Sequence, residues 1–172
     1  MSGHLPDLEF SLKGVGNQTV TQASLKDKTA LVFFGYASCP DICPTTMAQL
    51  TEVIAKLGDD AKDVRIVFIS VDPHRDTPDI LQAYVNAFNK NAIGLTGGEN
   101  EVAALARRYR IAYQIEKPKP GDNPDIYDVT HSRGVFIFDL FGRARLLASD
   151  TEAIDTVTAD LKRLIQSTRS KS

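Results

Sequence analysis

The two cysteines of the chain stand close together in residues 37–49, ASCPDICPTTMAQ, and each is followed by a proline. Cys39 and Cys43 are the only cysteines among 172 residues. Thiolates bind soft metal ions, attack disulfides and can close a disulfide with each other. The stretch therefore indicates a disulfide clip, a redox centre or part of a metal site.

The composition argues against a structural disulfide. A chain of this length buries roughly 70% of its unfolded surface, so its core needs no covalent staple. With 24% charged and 42% hydrophobic residues it is typical of soluble globular proteins. Two cysteines also exclude a disulfide-dense secreted scaffold. We expect one domain at residues 5–168, preceded at residues 1–4 by a disordered N-terminus or an expression remnant.

Charge and hydropathy exclude two classes of partner. The formal net charge is −2 and no cluster of Lys or Arg forms a phosphate-binding stripe, so nucleic acid is not an expected partner. The sequence contains no run of about 18 apolar residues, the length that a membrane-spanning helix needs. Its N-terminus carries no signal-peptide pattern. We expect a soluble chain.

Two apolar runs of strand length flank the cysteine stretch. They are TALVFFGY at residues 29–36 and RIVFISV at residues 65–71. Strand, helix and strand in this order favour parallel strands with helices on the sheet faces. The cysteines then lie at the carboxyl edge of the sheet, where open α/β sheets bind ligands. The helix between the runs is predicted from apolar residues at helical spacing: Met47, Leu50, Val53, Ile54 and Leu57.

The second cysteine is predicted to lie at the start of this helix. Pro44 suits a first helical position, which puts Cys43 near the N-cap. The positive helix end and its unpaired N–H groups would lower the pKa of the thiol. Asp41 opposes thiolate formation and favours a bound cation, but we interpret it as a turn residue.

The remaining pattern predicts three more helices and a hairpin. Thr77 as N-cap with Pro78 begins the second helix, and Asn100 caps the third. The second helix is expected to bury Ile80, Leu81, Tyr84, Val85 and Phe88. Further segments are an alternating strand at 109–115, a loop at 117–124, hairpin strands at 133–139 and 143–148, and a C-terminal helix with Ile154, Val157, Leu161, Leu164 and Ile165. This order predicts an α/β, thioredoxin-like three-layer fold with an added N-terminal β-hairpin.

The predicted topology selects one of three histidines as a partner for the thiols. His4 lies in the N-terminus and His74 in an exposed polar loop. His131 precedes the strand that borders the cysteine loop in a thioredoxin-like sheet. Two thiolates and one imidazole suit Cu(I), and with a water they can hold Cu(II). Structural zinc needs a fourth ligand that the sequence does not offer.

Four motifs in the right order resemble the Sco/SenC family of copper-binding, thioredoxin-fold assembly factors for cytochrome c oxidase. The resemblance covers residues 5–164 and implies the metal ligands Cys39, Cys43 and His131. It also suggests that Asp72 lies in the shell around the metal or on the partner surface. The motifs are FFGYASCPDICP (33–44), ISVDPHRDTP (69–78), IGLTG (93–97) and YDVTHS (127–132).

The resemblance implies a copper chaperone for the binuclear copper site of cytochrome c oxidase subunit II. Subunit II is then the expected partner, together with another copper chaperone or a thiol reductase. Family members are usually tethered by one N-terminal membrane helix, and we expect this sequence to represent a soluble form without that tether. We therefore expect membrane contact only through such an anchor, and a place in the bacterial periplasm rather than the mitochondrial intermembrane space.

A thiol-disulfide oxidoreductase is the main alternative function, with Cys39 and Cys43 as its redox pair. The C-x3-C spacing differs from the C-x-x-C of thioredoxins, and Ser132-Arg133 stands where thioredoxins carry their cis-proline. A copper or redox sensor would leave no distinct mark in the sequence. We expect a metallochaperone rather than an enzyme that turns over a substrate.

Overall fold

The computed structural model describes residues 5–37, 42–115, 120–121, 129–131, 134–148 and 153–169. It describes their side chains except at residues 42, 43, 115, 129–131 and 169. The expectations for residues 1–4 and for Asp41, and most of the predicted loop at 117–124, lie outside this part of the chain. The strands are β1 (Ser11–Lys13), β2 (Thr19–Thr21), β3 (Thr29–Gly35), β4 (Val64–Ser70), β5 (Ala92–Leu95), β6 (Tyr113–Ile115), β7 (Val129–His131), β8 (Val135–Phe138) and β9 (Ala144–Ala148); the α-helices are α1 (Ile42–Leu57), α2 (Pro78–Asn86), α3 (Glu99–Arg108) and α4 (Ile154–Arg169).

Five strands form the central sheet in the order β5-β4-β3-β8-β9. β3, β4 and β5 are parallel, as the two apolar runs with a helix between them predict. β8 pairs antiparallel with β3, and β9 closes the predicted hairpin. β3 is buried along its whole length, so the strand that leads to the cysteines lies at the centre of the molecule.

Helices cover both faces of this sheet. The register of β3 with β8 makes Phe33 and Phe136 project from opposite faces. The ring of Phe68 packs edge-on against Phe33 and also contacts Tyr84 of α2. Tyr109, at the end of α3, instead packs against Phe136. The helices α2 and α3 therefore lie on opposite faces, and the predicted three-layer, thioredoxin-like fold is confirmed.

The added N-terminal hairpin is also confirmed. β1 and β2 pair antiparallel, and Lys13 exchanges two backbone hydrogen bonds of 2.6 and 3.0 Å with Thr96 just after β5. Upstream of the hairpin, the Tyr109 hydroxyl donates to the Asp7 carbonyl at 2.7 Å and accepts from the N–H of Glu9 at 3.0 Å. These contacts hold the N-terminal segment against the end of β5 and the end of α3.

The predicted core of the first and last helices is confirmed, but one residue of α2 was assigned wrongly. Leu81 and Val85 of α2 are fully buried, whereas Ile80 is 52% exposed. At 100° per residue, Ile80 lies about 100° from Leu81 and outside the buried stripe. Thr77 caps α2 as predicted, because its hydroxyl accepts from the N–H of Ile80 at 3.3 Å.

Two boundaries near α3 also differ from the prediction. The N-cap is Gly98, whose N–H donates to the side chain of Glu101 at 3.3 Å, so Asn100 already lies inside the helix. The strand expected at residues 109–115 is shortened to β6. Arg110 adopts a left-handed φ of 59°, which ends α3 and is incompatible with a strand.

Candidate metal centre

The cysteine segment links the central strand to the first helix. β3 ends at Gly35 and α1 begins at Ile42. Cys39 lies outside the described residues, and Cys43 is described in its backbone alone, as the second residue of α1. The helix thus starts two residues earlier than expected from Pro44. This places Cys43 inside the first turn, where backbone N–H groups have no helical carbonyl to bind.

The histidine selected from the topology lies in a short strand next to the sheet. His131 is the last residue of β7, which pairs antiparallel with β6, and it stands opposite Tyr113. Four positions later β8 begins at Val135, whose partner in β3 is Phe33. The side chain of His131 is not among those described. Its strand belongs to the separate two-stranded sheet of β6 and β7, whereas Val135 lies beside the carboxyl end of β3 in the central sheet.

Two described elements share this edge of the sheet. They are the carboxyl end of β3, which precedes the cysteine motif, and the start of β8, where Val135 pairs with Phe33. The start of β8 lies there because β8 runs antiparallel to β3. That Cys39, Cys43 and His131 come together at this edge stays a prediction, because their side chains are not among those described.

A buried polar cluster underlies this edge at the carboxyl end of β4. The side chains of Ser70, Asp72 and Asp76 are all inaccessible or nearly so. Asp76 Oδ2 accepts from Ser70 Oγ at 2.7 Å and from the N–H of Ala37 at 2.8 Å. The N–H of Asp72 in turn donates to Ser70 Oγ at 3.0 Å. The cluster joins the end of β4 to the residue two positions before Cys39.

The surroundings of Asp76 shift the pKa of its carboxyl upward. Burial raises the pKa of its carboxyl above the ordinary value of 3.8. The hydrogen bonds from Ser70 and from Ala37 act to lower this pKa, the negative charge of Asp72 raises it further, and Arg75 lowers it. The net direction is upward because the loss of hydration is the largest of these effects.

Asp72, which the resemblance suggested for the metal shell or partner surface, is held within its own loop. Its Oδ2 accepts from Nε of Arg75 at 2.5 Å, and the side chain is fully buried. The guanidinium of Arg75 lies 5.7 Å from the ring centre of Tyr36, the residue that follows β3. Asp72 therefore organises the surroundings of the cysteine segment. A direct role near the metal stays a prediction.

The sequence pattern did not single out Asp76 or Ser70. Both stand in the motif ISVDPHRDTP, which was interpreted through Asp72 and as an exposed polar loop. His74, in the same loop, is exposed as expected. The sequence offers one signal for Asp76, its place directly before the N-cap Thr77. An aspartate at such a place is equally common as a solvated turn residue, so the signal does not predict burial.

The described side chains contain no group of three or more His, Cys, Asp and Glu that could hold a metal ion. Cys39, Cys43 and His131 are not among the side chains covered by that statement. Within the described part of the chain, no helix is long and apolar enough to cross a membrane.

Comparison with known proteins supplies independent information on this site. A model of the SCO1/SenC family matches residues 4–166. The SCO2-like protein of Rickettsia felis is 33% identical over 135 residues, which are 78% of this chain and 65% of that protein. The chain thus spans slightly less than two thirds of the length of this relative.

Two solved structures have the same fold at similar identity. ScoI of Bradyrhizobium japonicum, determined with copper bound, is 36% identical with a TM-score of 0.80, over 92% of this chain and 98% of that chain. Apo Sco1 from Thermus thermophilus is 34% identical with a TM-score of 0.82, over 95% of this chain and 94% of that chain. The thioredoxin-like arrangement of these structures is the one described above.

Proposed function

The chain belongs to the SCO1/SenC family, and from this premise we propose that it is a copper chaperone that holds copper with Cys39, Cys43 and His131. The observation that supports the proposal is that β8, which begins four positions after His131, starts beside the carboxyl end of β3, the strand that precedes the cysteine motif. The copper-bound relative supports the choice of metal.

The chemistry of the donor set fits copper better than zinc. Thiolates are soft ligands that stabilise Cu(I), and an imidazole adds the nitrogen donor that Cu(II) prefers. Zinc in structural sites usually takes four Cys or His ligands, and the proposed set provides three. Copper is here the cargo, bound for transfer rather than retained.

The partner that this role implies is cytochrome c oxidase, and within it the binuclear copper site of subunit II. Transfer requires the target to displace the three ligands one after another, which an edge site permits. We place the protein on the periplasmic side of a bacterial membrane. A second copper chaperone or a thiol reductase would supply the metal and electrons.

An anaerobic Cu(I) titration of the reduced protein tests the proposal. We expect one tightly bound Cu(I) per chain, measured by competition with a chromophoric chelator. Cys39→Ser and Cys43→Ser should each abolish tight binding, because one thiolate and an imidazole are a much weaker Cu(I) set. His74→Ala is the matched control and should bind as the wild type does. Near-native affinity in both cysteine variants would refute the proposed site.

A thiol-disulfide reductase is the second candidate function. It is favoured by the position of Cys43 in the first turn of α1, because a helix N-terminus lowers thiol pKa values and makes the thiolate a better nucleophile. Oxidation of the metal-free protein should then give an intramolecular disulfide. Reduction of the oxidised cysteines of subunit II by this protein, without copper, would establish this role.

A further inference from the structure

We propose that Asp76 is a positioning residue for the cysteine segment, which it holds to the end of β4 through the backbone N–H of Ala37. The inference rests on the proposed copper function and deepens it. Asp76 acts on the backbone of Ala37, two residues before Cys39.

The hydrogen bond to Ala37 replaces a regular bond of the sheet. The last ladder bond between β3 and β4 runs from the N–H of Val71 to the carbonyl of Gly35, at 2.8 Å. In a regular parallel ladder, the N–H of Ala37 would next donate to the carbonyl of Val71. It donates instead to Asp76 Oδ2 at 2.8 Å. The chain therefore leaves the sheet at Ala37, with a side chain rather than a strand as its partner.

Asp76 is itself held from several sides. Its carboxylate is 1% exposed, and Oδ2 also accepts from Ser70 Oγ at 2.7 Å, while its N–H donates to the carbonyl of Asp72 at 3.0 Å. The next residue, Thr77, caps α2. A side chain fixed by β4 and by a helix cap can act as a rigid support for a neighbouring segment.

Burying a carboxyl that forms no direct ion pair with a described residue lowers the stability of the folded state. A contribution to stability therefore does not explain why this position holds an aspartate. Arg75 forms its short contact with Asp72 rather than with Asp76. Asp76 supplies one acceptor for two donors, the hydroxyl of Ser70 at the end of β4 and the N–H of Ala37 just after β3, which an apolar side chain could not do. We therefore assign Asp76 the role of orienting the cysteine segment. Residues outside the ligand set orient the ligands of other metal sites in the same way.

The test compares three variants in the full chain. Asp76→Ala removes the acceptor, and Asp76→Asn keeps an amide oxygen that can accept from Ala37 and Ser70 while it removes the charge. Asp139→Ala is the matched control. Asp139 is also 1% exposed and accepts from two backbone N–H groups, of Phe141 and Arg143, but it follows β8 at the opposite end of the sheet.

Two quantities should separate positioning from general stability. These are the Cu(I) dissociation constant, measured against bicinchoninic acid, and the equilibrium constant of the Cys39–Cys43 pair with glutathione. Asp76→Ala should weaken Cu(I) binding about 10- to 100-fold, the range for residues that orient metal ligands, and should shift the glutathione equilibrium. Asp76→Asn should restore both values. Asp139→Ala should lower the melting temperature but leave both values as in the wild type.

Each departure from this pattern has a distinct meaning. Wild-type copper binding and thiol equilibrium in a folded Asp76→Ala protein would overturn the inference, as would equal losses in Asp139→Ala or a failure of Asn to restore function. If Asp76→Ala does not fold, Ser70→Ala decides, because it removes one support of Asp76 and should weaken Cu(I) binding by a smaller factor. An unchanged Ser70→Ala would then overturn it. Absence of copper binding in the wild type would refute the proposed function instead.

Discussion

The proposed copper chemistry depends on a few side chains that differ in what they would contribute. In the proposed site, the thiolates of Cys39 and Cys43 are soft donors that would suffice to hold Cu(I) in a near-linear arrangement. The imidazole of His131 would add the nitrogen donor on which Cu(II) depends. Asp76 binds no metal in the proposed scheme and acts through the backbone N–H of Ala37. These contributions predict different results for different substitutions.

His131→Ala should weaken Cu(I) binding without abolishing it, and should eliminate stable Cu(II) binding. Cu(II) prefers tetragonal coordination with nitrogen donors, and without the imidazole it oxidises the thiolates more readily. The measurement is the lifetime of the thiolate-to-copper charge-transfer absorption, with circular dichroism to report the fold. His74→Ala, at an exposed loop position, is the control. Loss of the band in His74→Ala and its retention in His131→Ala would show that His74, and not His131, binds the copper.

The raised pKa of Asp76 makes a prediction about stability and pH. Because burial favours the protonated form, the folded state holds this proton more tightly than the unfolded state does. The stabilisation is fully present below pH 3.8 and is lost as the pH rises through the raised pKa. Of the two charged neighbours, Asp72 raises the pKa of Asp76 and Arg75 lowers it.

Asp76→Asn keeps this side chain neutral at every pH. Its free energy of unfolding should therefore increase relative to that of the wild type as the pH is raised from about 3 to about 7. Urea unfolding at a series of pH values measures the difference. The amide group itself is expected to change the free energy of unfolding by the same amount at every pH. The informative quantity is therefore how the difference between Asp76→Asn and the wild type changes with pH. A difference that is flat with pH, or that falls, would contradict the assignment.

At the scale of elements, the site depends on how short connections leave the sheet. β3 precedes the cysteine segment in the chain. The connection from β7 to β8 ends at Gly134, directly before β8. Gly134 has a φ of 127°, which side chains of L-residues rarely tolerate, and an added Cβ would lie 3.0 Å from Leu147 Cδ1. Glycine thus permits the chain to turn from β7 into β8.

Gly134→Ala should destabilise the protein by about 1–3 kcal/mol and should also weaken copper binding, because it displaces the strand that ends at His131. Gly58→Ala is a matched control, since Gly58 has a φ of 62°, no atom near an added Cβ, and a position beyond the far end of α1. It should cost about 1–2 kcal/mol and leave copper affinity unchanged. Destabilisation by Gly134→Ala with wild-type copper affinity would separate this connection from the site.

At the scale of the whole molecule, one continuous core unites the described elements. It extends from Leu8 and Phe10 near the N-terminus through the central sheet to Ile165 of α4. The site at the sheet edge is therefore attached to elements that unfold together. A ligand that binds only the folded site should stabilise the entire molecule against heat.

Cu(I) should accordingly raise the melting temperature of the reduced protein. Binding stabilises the folded state by about 4 kcal/mol at a free concentration 1,000 times the dissociation constant, and by less where unfolded thiols also bind the metal. Differential scanning calorimetry under anaerobic conditions measures the shift. Cys39→Ser should show none. An equal shift in that variant would mean that copper stabilises the protein from another site.

The sequence by itself determined the features that depend on neighbours along the chain. Apolar runs and helical spacing located β3, β4, α1 and α4, because periodicity reflects the face that each element buries. Thr77 and Pro78 marked the start of α2, since a cap satisfies donors within three residues. The cysteine motif, with its spacing and proline neighbours, predicted soft-metal or thiol chemistry and led to the family.

The tertiary structure decided what depends on residues distant in sequence. The inward orientation of Asp76 follows from a partner 39 positions away, and Tyr109 is buried because its ring packs on Phe136 and its hydroxyl donates to Asp7, 102 positions away. Ile80 is exposed because the sheet and neighbouring helices cover only part of α2. The start of β8 likewise lies beside the carboxyl end of β3 only because the two strands, about 100 positions apart in sequence, pair antiparallel. Local propensity carries no information on such contacts, because their free energy arises only when the elements pack.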